Sequence, residues 1–229
     1  MVPGNFQSGI DGLFPVPSVG CVDELAAKDQ LNTIRTLMER AAVYRRALAP
    51  VMTAVGGVGT LAGLAAYQWL PQNARAFAFF WLAVGILCIA IAFLLVRRQA
   101  FASQEPFWSP PTRRIAAALL PPVFAGAAVV GPLVNIHSEG PMIAVALPPL
   151  WLVLYGCALH SAGFFMVRGI RLFGWAFLVA GLLSALTATH PQIVEPSVRV
   201  AHLLMAATFG IGHLAYGAYL HLTESKNRS

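Results

Sequence analysis

The stretch AFAFFWLAVGILCIAIAFLLV, residues 76–96, contains no charged side chain. At a rise of about 1.5 Å per residue, a helix of this length is about 31 Å long, which matches the hydrocarbon core of a bilayer. A helix on the surface of a soluble protein would carry a polar stripe, and this stretch has none. The sequence therefore predicts a membrane-spanning helix here.

Five further stretches are similarly apolar and equally free of Asp, Glu, Lys and Arg. They are Leu48–Leu70, Ile115–Asn135, Ile143–Val167, Leu172–Ala188 and Val200–His221. A charge at the centre of a bilayer costs about 3 kcal/mol or more, so its absence is typical of spanning helices. We therefore expect an all-α, polytopic membrane protein, in which residues 47–222 form a bundle of six transmembrane helices.

The composition of the whole chain agrees with this fold class. Of the 229 residues, 58% are hydrophobic and only 10% are charged, against roughly 25% charged in an ordinary soluble domain. A soluble domain could not cover its surface with so few charges, and a disordered chain would not be so apolar. Three cysteines do not make a disulfide framework.

The basic residues predict the orientation of the bundle. Arg75 and Arg199 fall in loops on one side, and the other thirteen of the 15 Lys and Arg residues fall on the opposite side. The positive-inside rule then places both termini in the cytoplasm, with the protein in a bacterial-type inner membrane. This distribution accounts for the net charge of +6 without a nucleic-acid partner, since the sequence contains no separate basic domain.

The segments outside the bundle are expected to be cytoplasmic. Residues 1–22 are rich in Gly, Pro and Ser and lack a basic start and a long apolar core, which favours a flexible tail over a cleavable signal peptide. Residues 23–46 predict an amphipathic cytoplasmic or interfacial helix, because apolar side chains recur at three- and four-residue steps. Residues 223–229 complete the chain as a short tail.

The amphipathic helix ends in basic residues that suit two kinds of contact. Arg40, Arg45 and Arg46 can meet anionic lipid headgroups at the inner leaflet. They can instead contact a partner protein, either another membrane protein or a second copy of the chain. A third interpretation is that the segment only fixes the topology and depth of the first span.

Glycines and prolines indicate how the spans pack. Gly59 and Gly63 form a small-xxx-small pair, and glycines seven residues apart repeat in later spans, as at Gly156 and Gly163. Such faces allow close helix packing in a bilayer. Pro149 is expected to open a helix and the Pro121-Pro122 pair to kink one. The alternative interpretation of the prolines is a broken-helix site of a small-solute transporter.

A few side chains within the spans are able to do chemistry. His160 and His213 are expected at similar depth and could be axial ligands of a b-type haem, with Gly156 and Gly163 leaving room for a flat macrocycle. A histidine could instead hydrogen-bond a quinone in an aromatic-lined site, with Tyr216 on the same stripe as His213. The structural alternative is a histidine that hydrogen-bonds between helices.

Two metal sites are also conceivable. Cys157, His160 and His213, together with Cys88, have the donor types that copper or zinc prefers. On the outer side, the imidazoles of His137, His190 and His202 with the carboxylates of Glu139 and Glu195 could bind a divalent metal or respond to external pH, although their spacing is not that of a known metal motif.

No nucleophile elbow, phosphate-binding loop or HExxH motif occurs in the sequence. We therefore expect a non-enzymatic accessory, sensory or scaffold subunit that acts through helix packing and its cytoplasmic helix. The alternatives are a membrane redox or cofactor-binding protein that uses His160 and His213, and a small-solute transporter.

Overall fold

The computed structural model of the chain describes residues 28, 30, 31, 48–102, 104, 107–136, 142–188 and 197–226. The chain divides into two compact units, Met1–Ala42 and Val43–Ser229. In the first unit, the described residues Lys28, Gln30 and Leu31 are helical and exposed. The predicted N-terminal tail, most of the predicted amphipathic helix with its three arginines, and the outer histidines His137 and His190 lie outside the described residues.

The second unit is helical, and no strand occurs in the part of it that the structure describes. Its helices are α1 (Leu48–Trp69), α2 (Ala74–Ala102), α3 (Pro110–Ala128), α4 (Val130–Ile136), α5 (Met142–Ala162), α6 (Arg168–Ala188), α7 (Val198–Met205) and α8 (His213–Lys226). Between α7 and α8, residues Ala206–Gly212 form a π-helical segment. The predicted all-α fold class is confirmed.

Five of these helical stretches are long and apolar enough to cross a membrane. They are Leu48–Trp69, Ala74–Ala102, Thr112–Asn135, Arg168–Ala188 and Val198–Thr223. The third combines α3 with α4, and the fifth combines α7, the π-helical segment and α8. The apolar part of α5 that is described in full, Ala146–Ala162, is shorter, although α5 itself has 21 residues.

The first two helices form a hairpin through a short polar turn. Asn73 ends this turn, and its Oδ1 accepts a hydrogen bond of 2.8 Å from the backbone N–H of Ala76 in the first turn of α2. An asparagine that caps a helix satisfies a donor that the helix itself leaves unpaired. This cap accounts for the start of α2 next to the end of α1.

Two pairs of helices pack through glycines. In α5 and α6, a Cβ added at Gly174 would lie 2.6 Å from the backbone nitrogen of His160, and one at Gly156 would lie 2.8 Å from the carbonyl oxygen of Gly174. In α1, a Cβ added at Gly56 would meet Leu214 of the last span, and a Cβ added at Gly63 would meet Ala206. The predicted glycine faces therefore are the places where backbones approach most closely.

The buried apolar side chains form two clusters near opposite ends of the helices. The first cluster lies near the starts of α2, α5 and α7 and consists of Ala74, Phe77, Ala78, Trp81, Val130, Val134, Leu147, Val198, Ala201 and Met205. The second lies near the starts of α1 and α6 and includes Leu48, Ala49, Met52, Leu152, Leu159, Ile170, Phe177 and Leu220. Phe209 of the π-helical segment packs against both clusters.

One span is interrupted where the sequence did not predict it, and the start of one helix differs from the prediction. The third span breaks at Val129, three residues before Pro132, which has no N–H to donate to the carbonyl one turn back. The prediction that Pro149 opens a helix is wrong, because α5 begins at Met142 and contains both Pro148 and Pro149. The Pro121-Pro122 pair likewise lies inside α3.

Candidate functional site: two buried histidines in the last span

The last span turns one stripe of side chains toward the interior of the bundle. His202 and His213 are its fully covered polar members, with 0% and 1% of their surfaces exposed. Met205 and Leu220 on the same stripe are also buried. The predicted stripe therefore packs inward, and it places two imidazoles roughly 15 Å apart along one helical element.

The π-helical segment separates the two histidines. Within it, the hydroxyl of Thr208 donates a 2.7 Å hydrogen bond to the carbonyl of Leu204, one turn back. Such a bond competes with the helical ladder for that carbonyl. Gly210 and Gly212 in the same segment favour its departure from regular α-helix, because glycine is a poor helix former. Short π-helical segments are frequent at functional sites.

The imidazole of His202 is oriented by a side chain of another helix. The indole Nε1–H of Trp81 on α2 donates a 3.0 Å hydrogen bond to Nδ1 of His202. Tryptophan is only a donor, so Nδ1 is the acceptor and a neutral imidazole carries its proton on Nε2. That Nε2 is buried and has no hydrogen-bond partner among the described residues. A buried donor without an acceptor costs about 1–3 kcal/mol.

Aromatic rings surround this imidazole. Phe77 and Phe80 of α2 lie with their ring centroids 4.9 Å and 6.1 Å from that of His202. Trp151 of α5 stacks on Phe77 at 6.2 Å and donates its own N–H to the carbonyl of Gly126 at 2.9 Å. This carbonyl lies near the end of α3, where the helix break interrupts the regular ladder, so Trp151 satisfies it from the neighbouring helix.

The second imidazole has a polar partner on α5. The hydroxyl of Tyr155 lies 2.8 Å from Nε2 of His213, and the tautomer of the histidine decides which group donates. Phe173, Phe177 and Phe209 pack around the ring at centroid distances of 5.1 Å, 5.4 Å and 6.2 Å. Because Nε2 is already engaged, ligation of a haem iron through that nitrogen would require the bond to Tyr155 to break.

The structure places His160 in different surroundings. Tyr155 and His160 are five residues apart on α5, so their side chains point about 140° away from each other. The imidazole of His160 packs edge-on against Phe164 and Trp175 at 5.3 Å and 5.5 Å. No ring contact joins His160 to His213 in the described part of the chain. Its Nδ1 is buried and has no hydrogen-bond partner among the described residues.

The other predicted cofactor residues contribute to packing. The space above Gly156 is occupied by the backbone of α6, and the space above Gly163 by Arg171. Tyr216 stacks on Phe173 at 4.7 Å with nearly parallel rings, and its hydroxyl lies over Gly169. The room that these glycines leave is thus filled by the protein itself.

The predicted metal ligands do not converge in the described residues. Cys88 and Cys157 are free thiols of intermediate burial. No group of three or more His, Cys, Asp or Glu side chains that could hold a metal occurs within the described ranges. His202, a member of the predicted outer set, is buried and hydrogen-bonded to Trp81. The other two members, His137 and His190, lie outside those ranges.

Sequence reasoning missed two partners. Trp81 lies in an apolar span whose pattern predicts no polar contact, although an indole N–H in a bilayer requires an acceptor and therefore indicates one. Tyr155, five residues before His160 on α5, is the partner of His213, which the sequence pattern does not predict. Since Trp81 and His202 are 121 residues apart in the sequence, no local pattern could join them.

Comparison with known proteins returns no match, whether with protein-family models, curated proteins or solved structures.

Proposed function

We propose that this chain is a six-span protein of the inner membrane with both termini in the cytoplasm, and that it is a non-enzymatic accessory or scaffold subunit. In this proposal α5 crosses the membrane in addition to the five long apolar stretches, because its 21 residues are about 31 Å long as a helix. Its partner is another membrane protein or a second copy of the chain.

The observation that carries the proposal is the exposure of α2. Only 6% of its most apolar window is buried, against 17% to 33% in the four other long helices. Its buried residues all lie in its first two turns and include Phe77, Ala78 and Trp81. The remainder presents large apolar side chains outward, including Ile86, Ile89 and Phe93.

Helix packing in the membrane gives this face its proposed role. A span gains van der Waals packing when another helix covers it, and lipid chains follow its surface less closely than a matched helix does. α2 also extends beyond the bilayer, since its 29 residues are about 43 Å long. Arg97 and Arg98 at its end are exposed and are placed to contact a partner at the cytoplasmic boundary.

Photocrosslinking in living cells tests this role. A photoreactive amino acid is placed at Ile89 on α2 or, as a matched control, at Leu182 on α6, whose side chains are 57% and 56% exposed. We expect a discrete protein adduct from position 89 and only lipid adducts from position 182. An adduct of twice the mass identifies a second copy, and another mass identifies a different protein. Lipid adducts alone at both positions would contradict the proposal.

A second candidate function is redox or cofactor binding through His160 and His213. It is supported by the positions of the two imidazole groups, since His213 is buried and Nδ1 of the half-buried His160 is covered, and ionisable groups inside a membrane commonly have functional roles. An absorption spectrum of the purified protein, combined with metal analysis, tests it. A Soret band that is lost in His213→Ala would support haem. Without that band and without bound metal, haem and metal binding are eliminated.

A further inference from the structure

Nε2 of His202 is a hydrogen-bond donor without a partner among the described residues, and the contact with Trp81 fixes the tautomer that carries this proton. Trp81 occupies Nδ1 at 3.0 Å and thereby directs the proton of the neutral ring to Nε2. This donor is completely covered and has no acceptor among the described residues. Buried polar groups in native proteins are nearly always paired, so an exception requires an explanation.

The surroundings of the donor indicate the chemistry of its acceptor. The rings of Phe77, Phe80 and Trp81 lie within 6.3 Å of the imidazole, measured between centroids. Flat apolar walls with a single fixed donor are typical of sites for neutral ligands that are mostly hydrocarbon. The complementary group is an oxygen with a free lone pair, which a carbonyl supplies without a charge to desolvate.

Phe80 offers a route to the site from the lipid. Of the three rings that touch the imidazole, Phe77 and Trp81 are buried, whereas Phe80 is partly exposed. Phe80 lies on α2, the helix with the least buried apolar surface. A compound that enters from the bilayer, where membrane-soluble compounds are concentrated, would therefore have to displace the ring of Phe80 to reach the imidazole.

We infer that His202, Trp81 and the rings of α2 form a binding site for a membrane-soluble carbonyl compound of the quinone class. Nε2 of His202 donates to a carbonyl oxygen of the ligand, Trp81 fixes the tautomer, and Phe77 and Phe80 contact the flat ring. The site is separate from His160 and His213, and it does not depend on assembly through α2.

Binding of decylubiquinone to the full-length protein in nanodiscs tests the inference. The variants are His202→Asn, whose amide oxygen can still accept from Trp81 but which lacks a donor at the Nε2 position, and His202→Gln, whose amide nitrogen lies near that position. His221→Asn, at an exposed histidine, is the matched control. We expect saturable binding that weakens about five- to tenfold in His202→Asn, recovers largely in His202→Gln and is unchanged in the control.

Nitrogen-15 NMR of histidine-labelled wild-type protein gives a second readout that needs no stable variant at His202. Decylubiquinone is expected to shift the protonated Nε2 resonance of His202, with that signal assigned by elimination through variants at the other five histidines. In Phe80→Leu, association is expected to be faster because the smaller side chain leaves the route open. No saturable binding to the wild type, equal binding in His202→Asn, or an Nε2 resonance bonded only to water and unmoved by the quinone would overturn the inference.

Discussion

Tyr155 on α5 and His213 on α8 join two helices through a contact of 2.8 Å between the tyrosine hydroxyl and Nε2 of the imidazole. Together with the bond between Trp81 and His202, it holds the last span on both sides of its π-helical segment. The partners come from two different helices, so the last span is fixed in rotation as well as in depth. The two histidines are in this sense structural whatever else they bind.

Removing the hydroxyl of Tyr155 tests the structural part of this role. In Tyr155→Phe, Nε2 of His213 loses its partner while the ring packing against Phe177 and Phe209 is retained. Hydrogen bonds between helices in membrane proteins contribute about 1 kcal/mol, so the free energy of unfolding should fall by about that amount. Denaturant titration in mixed micelles measures it. Tyr219→Phe, at an exposed tyrosine of α8, is the control, and an equal loss in both variants would argue against the contact.

The glycine contact between α5 and α6 predicts a contrast between two identical substitutions. Gly174→Ala places a methyl group 2.6 Å from the backbone nitrogen of His160, where no side chain can move aside. We expect a loss of about 1–3 kcal/mol of stability. Gly85→Ala, on α2, meets nothing within 4 Å, so its stability should be unchanged or slightly higher. Thermal denaturation in detergent measures both, and similar values for the two would contradict the close approach.

The hydrogen bond from Trp151 to the carbonyl of Gly126 predicts a third difference. Trp151→Phe keeps an aromatic ring against Phe77 but leaves that carbonyl unpaired near the helix break at Val129. The cost is expected to be about 1 kcal/mol or slightly more, because the carbonyl faces no water inside the bundle. Trp69→Phe provides the control, since Trp69 is 82% exposed. Amide hydrogen exchange near residues 128–133 should rise in the Trp151 variant alone.

The sequence predicted the helical fold class because each span can be recognised from its own residues. Apolar stretches of sufficient length are local features, and the bilayer imposes their minimum length. The glycine faces were predictable for the same reason, since spacing along one helix decides which residues share a face. The ends of the helices were less predictable than the glycine faces. α6 begins at Arg168, about one turn before the predicted span Leu172–Ala188. Arg171 lies within the helix, and its guanidinium packs over the ring of Phe164 at 5.2 Å.

The candidate site was harder to predict because its partners are distant in sequence. The burial of His213 follows from its position on the stripe, whereas its contact with Tyr155 depends on how α5 and α8 are arranged. The π-helical segment contains no proline that would predict it. The hydroxyl of Thr208 competes for the carbonyl of Leu204, but such bonds also occur in many regular helices. The break at Val129 lies three residues before Pro132, but a proline inside an apolar stretch does not by itself distinguish a broken helix from a kinked one.

The number of crossings is tested most directly by the sides on which the two chain ends lie. Reporters that distinguish cytoplasm from the outer side are fused in turn to the N-terminus and after Ser229, with a third fusion in the connection between α5 and α6 near Met166. If α5 crosses the membrane, all three reporters lie in the cytoplasm, because an even number of spans separates each pair. If the third reporter or one terminus lies on the outer side, the six-span arrangement is contradicted.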